Sequence, residues 1–161
     1  MQAWQFECVI PGAPIGKGRP RATTMGGHVR LYTPKRTADW ERSSAFIMKN
    51  EWRSAPLDQV CQVSIVAVFP RPKRLLRKRD PSHRLWHSSK PDIDNVCKSV
   101  LDSLVMGGVI RDDTQVVDLN AMSVYASKDE GPCVEVRLSS IDCDGPSEYV
   151  GSAGSWNRGG A

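Results

Sequence analysis

The chain has 161 residues, of which 40% are apolar and 25% are charged, and its formal net charge at pH 7 is +4. A chain of this size and composition can bury one core, so we expect a single domain and exclude a wholly disordered protein. Widely spread cysteines without a Cys-x-x-Cys pair indicate reduced thiols rather than a zinc site, and no apolar run approaches the ~20 residues of a membrane span.

The N-terminal segment predicts one strand followed by a basic loop. The start of the chain lacks the layout of a signal peptide, so we expect a cytoplasmic protein. Apolar and polar residues alternate from Trp4 to Ile10, which predicts a strand with one buried face. Residues 16–30 are rich in Gly and Arg and offer little to bury, so a surface loop is expected there. This loop is either simply solvated or suited to phosphate groups, and its candidate contacts are Lys17, Arg19 and Arg21.

A helix and a central strand come next. Thr33 as the cap and Pro34 in the first turn predict a helix that runs to about Trp52. Trp40 lies on the apolar side of this helix, which favours packing in the core over stacking on a base. The continuous apolar run 60–69 predicts a central strand buried on both faces.

A run of cations separates this strand from the next helix. Seven Lys and Arg residues occur within residues 71–84, so we expect an exposed and partly mobile loop. Such runs are usually solvated surface, but this one leads directly to a cluster of acids, where cations can hold phosphate groups. Leu75, Leu76 and Trp86 either fold back onto the body, which is the favoured expectation, or insert into a nucleic-acid junction. The residues of this segment that could contact phosphate groups are Arg71, Lys73, Arg74, Arg77, Lys78 and Arg79.

Carboxylates crowd around a second predicted helix that starts near Pro91. Its apolar stripe has helical spacing and consists of Ile93, Cys97, Val100, Leu101 and Leu104. Asp92 and Asp94 stand at its start, where acids also act as caps, and Asp112 and Asp113 follow a Gly-Gly break. Two acid pairs exceed what capping requires, and their oxygens suit Mg²⁺. The EF-hand pattern fits poorly, because the Glu expected at its twelfth position is Ser103.

The C-terminal part predicts two more strands and a tail. Residues 115–126 alternate, residues 127–132 form a hairpin-type turn, and the last strand covers Val134 to Leu138. The order β-α-β-α-β-β predicts a two-layer α+β domain over residues 1–141, with helices on one face of a mixed four-stranded sheet. Residues 142–161 are rich in Gly and Ser, which predicts a disordered tail.

Many residue types occur in a fixed order around the acidic helix. They are Pro91-Asp92-Ile93-Asp94-Asn95, Lys98, Leu101-Asp102-Ser103-Leu104 and Asp112-Asp113-Thr114-Gln115-Val116-Val117. A looser pattern lies upstream in residues 12–21 and 32–35. This combination, which spans roughly Lys90 to Val117, resembles the signature of the RusA family of Holliday-junction resolvases.

The resemblance implies a dimeric, Mg²⁺-dependent endonuclease, with Mn²⁺ able to substitute, that nicks four-way DNA junctions symmetrically. Family members are often carried by phages or prophages, so the bacterial cytoplasm is the expected location and branched DNA the expected partner. The resemblance implies that Asp92, Asp94 and Asp113 are the catalytic, metal-binding carboxylates and that Lys98 is the functional lysine. It leaves the roles of Asp112 and Asp102 open.

Two other functions remain open on the sequence alone. The first is a basic DNA-binding module without catalysis, in which the acids only cap a helix. The second is a sugar-nucleotide transferase that uses Asp-x-Asp, for which the chain is short. The first alternative predicts junction binding in EDTA and no cutting with Mg²⁺.

Overall fold

The structure is a computed structural model that describes residues 4–141. Its strands are β1 (Phe6–Pro11), β2 (Arg21–Met25), β3 (His28–Tyr32), β4 (Cys61–Phe69), β5 (Leu85–Trp86), β6 (Val116–Tyr125) and β7 (Cys133–Ser140). Its helices are α1 (Lys35–Trp52) and α2 (Ile93–Met106). Two short 3₁₀ turns cover Lys73–Leu75 and Asp113–Gln115.

The main sheet has five strands in the order β1-β7-β4-β6-β5. β4 lies at its centre, parallel to β6 and antiparallel to β7, while β1 and β5 complete the edges in antiparallel pairing. The parallel pair is joined through α2, which is the crossover that parallel strands require. Alternate residues of β1, β4 and β7 point to the helix side and form the main core with both helices.

The two helices lie side by side on this face of the sheet. Val96, Val100 and Leu104 of α2 are fully buried, and so is Met48 of α1. Gly107 lets the helices approach closely, because a Cβ at this position would lie 2.8 Å from the carbonyl oxygen of Ala45. α2 is therefore fixed from both sides, which matters because it carries the acids.

The predicted α+β architecture is confirmed, with two differences in the strands. The sheet has a fifth strand, β5, which is only two residues long. Within residues 16–30, expected to form a loop, the part from Arg21 onwards belongs to the separate two-stranded hairpin β2–β3, which ends at Tyr32. A turn at Gly26 and Gly27, both with positive φ, joins its strands.

Other expectations are adjusted at single positions. α1 begins at Lys35 with Pro34 at the cap position, one residue later than predicted from Thr33. Trp40 packs against the core as expected. Only one face of β4 is buried along its whole length; the other face is half-buried except at Val68, which packs in a small second cluster with Val124 and Ala126. The predicted tail over residues 142–161 lies outside the described residues.

The length and composition of the two described helices show whether either could span a membrane. Among residues 4–141, neither helix combines the length and the apolar character needed to cross a bilayer.

Candidate functional site

Asp92 and Asp94 lie at the start of α2 with exposed side chains. Asp92 occupies the cap position, but its carboxylate accepts no capping hydrogen bond from the helix backbone. Asp94 is in the first turn, and the ammonium of Lys98 lies 3.6 Å from its carboxylate. Since capping does not engage Asp92, helix stability alone does not account for this acid.

Asp112 and Asp113 lie in the turn that follows α2. The carboxylate of Asp112 accepts hydrogen bonds from the backbone N–H and the hydroxyl of Thr114, at 2.9 and 2.5 Å. These bonds lower the pKa of Asp112. Gln115 completes the cap by accepting from the N–H of Asp112 at 3.1 Å. Asp112 thus shapes the turn, and the exposed Asp113 is the better candidate for metal binding.

The two acid pairs lie at opposite ends of α2. The helix has 14 residues, so it is about 21 Å long. Asp113 shares a cleft with Asp102 and Met106, which belong to the C-terminal half of the helix. Within residues 4–141 of one copy, the ligand atoms of Asp113 therefore do not lie within 4.8 Å of those of Asp92 and Asp94.

The donor set nevertheless fits a hard cation. Asp92, Asp94 and Asp113 offer only carboxylate oxygens, which is what Mg²⁺ prefers, and all three are exposed. The residue types of these three acids therefore suit Mg²⁺, but within one chain Asp113 lies apart from Asp92 and Asp94.

A different group of potential ligands does converge. Within the described residues, the ligand atoms of Glu130, Cys133 and Glu135 lie within 4.8 Å of one another. The carboxylates of Glu130 and Glu135 already accept hydrogen bonds from the guanidinium of Arg84, and the bond to Glu130 lowers the pKa of that carboxyl to about 2. Burial raises the pKa of the Cys133 thiol. A neutral thiol and two arginine-bound carboxylates do not suit Mg²⁺, so this cluster instead ties Arg84 to the sheet.

Lys17, a predicted phosphate contact, lies in a network of carboxylates. Its ammonium is 2.7 Å from Glu41 of α1 and 2.5 Å from Asp102 of α2. Burial alone would lower the pKa of Lys17, but the hydrogen bonds to Asp102 and Glu41 outweigh it and raise the pKa. The backbone N–H of Lys17 also donates to the carbonyl of Asn95 at 2.8 Å. Lys17 therefore links three chain segments rather than facing open solvent.

Arg71 lies inside the basic segment, residues 71–84. It is buried, and its guanidinium donates to the carbonyl oxygens of Ala126 and Pro81 at 2.7 and 2.6 Å. Two further acceptors are the carbonyls of Leu75 and His83. This arrangement contradicts the expectation that Arg71 contacts a polyanion, because its donors are spent on the backbone.

The other predicted cations of this segment are exposed, namely Lys73, Arg74, Arg77, Lys78 and Arg79. The segment is anchored rather than loose: Lys128 donates to the carbonyls of Arg77 and Asp80 at 2.7 and 2.6 Å. Trp86 is 77% exposed, so the expectation that it folds back is wrong, whereas Leu75 is half-buried. Arg19 and Arg21 are exposed at the root of the hairpin.

A known protein family matches the part of the chain that carries the acids. The family model described as "Endodeoxyribonuclease RusA" matches residues 11–139, a range that holds both acid pairs and Lys98. The chain belongs to the RusA endodeoxyribonuclease family. The predicted family is thereby confirmed, and with it a nuclease domain of the kind that acts on Holliday junctions in recombination.

Two relatives are similar to this chain over most of their lengths. The "Crossover junction endodeoxyribonuclease RusA" of Aquifex aeolicus is 23% identical over 133 residues, covering 83% of this chain and 91% of the relative. The "Uncharacterized protein YqaN" of Bacillus subtilis is 27% identical over 144 residues, covering 84% of this chain and 99% of the relative.

Proposed function

We propose that the protein is a Mg²⁺-dependent, structure-specific endonuclease of the cytoplasm that resolves four-way DNA junctions by symmetric phosphodiester hydrolysis. The observation that carries this proposal is a RusA domain over residues 11–139 that contains three exposed carboxylates, Asp92, Asp94 and Asp113. Exposed cations of the basic segment flank the start of α2 along the chain and are suited to hold DNA phosphates.

The acids and cations have separate tasks. Asp92, Asp94 and Asp113 would bind Mg²⁺ or Mn²⁺, which lowers the pKa of a bound water and neutralises charge on the phosphate in the transition state. Lys98 is beside Asp94 and exposed, so it can donate to a phosphate oxygen. Lys73, Arg74, Arg77, Lys78 and Arg79 would hold the backbone away from the bond that breaks.

We propose further that the active form is a homodimer. Since α2 separates the two acid pairs within one chain, a second copy can supply its Asp113 to Asp92 and Asp94 of the first. The edge of β6 supports such an assembly, because β5 pairs only with its last two residues. Val117, Leu119 and Met122 are exposed along the same strand, and an unpaired apolar edge favours association.

A cleavage assay tests the enzymatic part. A fixed four-way junction should be nicked only when Mg²⁺ is added, whereas a linear duplex of the same sequence should stay intact. Junction binding that persists in EDTA without cutting in Mg²⁺ would favour a non-catalytic binding module instead.

Subunit mixing tests the shared site. Asp94→Asn and Asp113→Asn should each be inactive alone. After the two variants are refolded together, about a quarter of the sites should combine wild-type acids from two chains. These heterodimers hold one intact site, so they should nick a supercoiled cruciform plasmid without linearising it. An inactive mixture in which heterodimers are demonstrated by mass would show that each chain builds its own site.

A further inference from the structure

A cleft of about 550 Å³ opens beside the root of the β2–β3 hairpin. Arg19, Arg21 and Arg36 line it, and no Asp or Glu is among its lining residues in the described part of the chain. Pro91 forms part of its wall and directly precedes Asp92. Three arginines thus line a cleft whose wall directly precedes the proposed catalytic acids in the chain.

These arginines lack the partners that other cations in the molecule have. Seven Lys and Arg side chains elsewhere lie within ion-pair distance of a carboxylate: Lys17, Arg42, Arg77, Arg84, Lys98, Arg111 and Arg137. Within residues 4–141, the side chains of Arg19, Arg21 and Arg36 form no hydrogen bond or ion pair. Gathering like charges without counterions is unfavourable, and a bound anion would relieve it.

The position of Arg36 on α1 also indicates that the cleft binds a negatively charged ligand. The first turn of α1 contains no acid, and Arg36 is its second residue. A cation there opposes the positive end of the helix dipole, whereas an anion would be stabilised by it. Arg36 therefore lowers helix stability unless a negative group lies nearby.

The cleft is built before any ligand arrives. A Cβ at Gly16 would be 2.8 Å from Cβ of Pro91, and a Cβ at Gly18 would be 2.8 Å from Cγ of Pro34. Only glycine allows the loop to lie this close to the starts of both helices. The backbone N–H of Gly18 also donates to the hydroxyl of Thr37 at 3.3 Å.

We propose that this cleft binds a backbone phosphate of the substrate strand, next to the phosphate that is cut, and so decides which phosphodiester reaches the acids. This inference rests on the proposed function. Each DNA strand carries one phosphate per ~3.4 Å of helix axis, so a strand that passes Asp92 places a neighbouring phosphate beside Pro91. Arg36, Arg19 and Arg21 are positioning residues, because they hold DNA away from the bond that breaks.

Binding of a fixed four-way junction in EDTA provides the first test. Arg36→Gln should weaken binding about tenfold, which is typical for one hydrogen bond to a charged group, and Arg36→Lys should lose less. The slope of log affinity against log salt should fall by about 0.9 for the lost phosphate contact. Lys49→Gln is the matched control, because Lys49 is an exposed cation in the last turn of the same helix. The melting temperature of Arg36→Gln should stay equal or rise, which separates the effect from misfolding.

Neutral phosphates provide the second test. In a series of junctions with one methylphosphonate each, one position close to the cut should weaken wild-type binding about tenfold and weaken Arg36→Gln no further. In Mg²⁺, Arg36→Gln should also nick neighbouring phosphodiesters that the wild type leaves intact. Losses that add at every position, or an Arg36→Gln variant that matches Lys49→Gln, would overturn the cleft proposal. A wild type that cuts no junction would instead overturn the proposed function.

Discussion

Lys98 offers a sharp test at the scale of one residue. Its pair with Asp94 joins two exposed side chains, and such pairs contribute about 0.3–0.5 kcal/mol to the free energy of unfolding. A cation that stabilises charge on the reacting phosphate contributes ~3 kcal/mol to the transition state. Lys98→Ala should therefore lower single-turnover junction cleavage about a hundredfold while unfolding in urea changes little. Arg42→Ala, which breaks another exposed pair on α1, should alter neither; a Lys98→Ala rate within a few-fold of wild type would remove Lys98 from the site.

In contrast to Lys98, Lys17 should contribute mainly to the stability of the fold rather than to the rate of cleavage. The side chain of Glu41 is only 5% exposed, so Lys17→Ala leaves a buried carboxylate without its partner. We expect a loss of about 2 kcal/mol in the free energy of unfolding, measured in urea. The double variant Lys17→Ala with Glu41→Gln should recover part of this loss, because the uncompensated charge is gone. A single variant as stable as the wild type would show that water satisfies Glu41.

At the scale of elements, Arg71 organises the basic segment from within. Its three guanidinium nitrogens donate hydrogen bonds to four backbone carbonyls. The compact ammonium of a lysine cannot reach all four. In Arg71→Lys, amide hydrogen exchange over residues 72–84 should accelerate, and junction affinity should fall although the charge is retained. Arg79→Lys, at an exposed position, should leave both unchanged. Unaltered exchange in Arg71→Lys would mean that the segment holds its shape without this residue.

Elements that bury a regular apolar face could be predicted from the sequence. β1 and α2 are examples, because Phe6, Cys8 and Ile10 alternate and Val96, Val100 and Leu104 have helical spacing. The hairpin β2–β3 could not be recognised this way, because its Val29 and Leu31 remain about 70% exposed. Its only signal was the Gly-Gly turn, which suits the positive φ angles found there.

The candidate site shows a similar division. Asp92, Asp94 and Asp113 could be proposed from residue type and order, since hard cations need clustered oxygens. The partners of Lys17 and Arg71 could not, because these contacts join residues that are far apart in sequence. The separation of Asp113 from Asp92 and Asp94 could not be predicted either, because the path of residues 107–112 after α2 decides it.

The distribution of thiols makes a prediction for the whole molecule. Cys8, Cys61 and Cys97 are free and buried in three different elements of the core. Burial raises the pKa of Cys8 to about 12 and that of Cys61 to about 11, so thiolate is scarce at pH 8. In a background lacking Cys133 and Cys143, an aromatic disulfide reagent should label these thiols only as fast as the domain unfolds, with one common rate that rises with urea. Rapid labelling of Cys8 alone would show that β1 detaches independently.

The pairing of β1 with β7 also bears on how the protein is made. β1 is joined to the sheet through β7 alone, with Phe6 opposite Leu138 and Pro11 opposite Cys133. A ribosome releases β1 early and β7 more than a hundred residues later. During that interval the apolar face of β1 has no strand to accept it, although the β4-α2-β6 unit can already begin to assemble. Closure of this sheet is therefore an event that follows synthesis of the domain, and the nascent chain needs protection from aggregation until then.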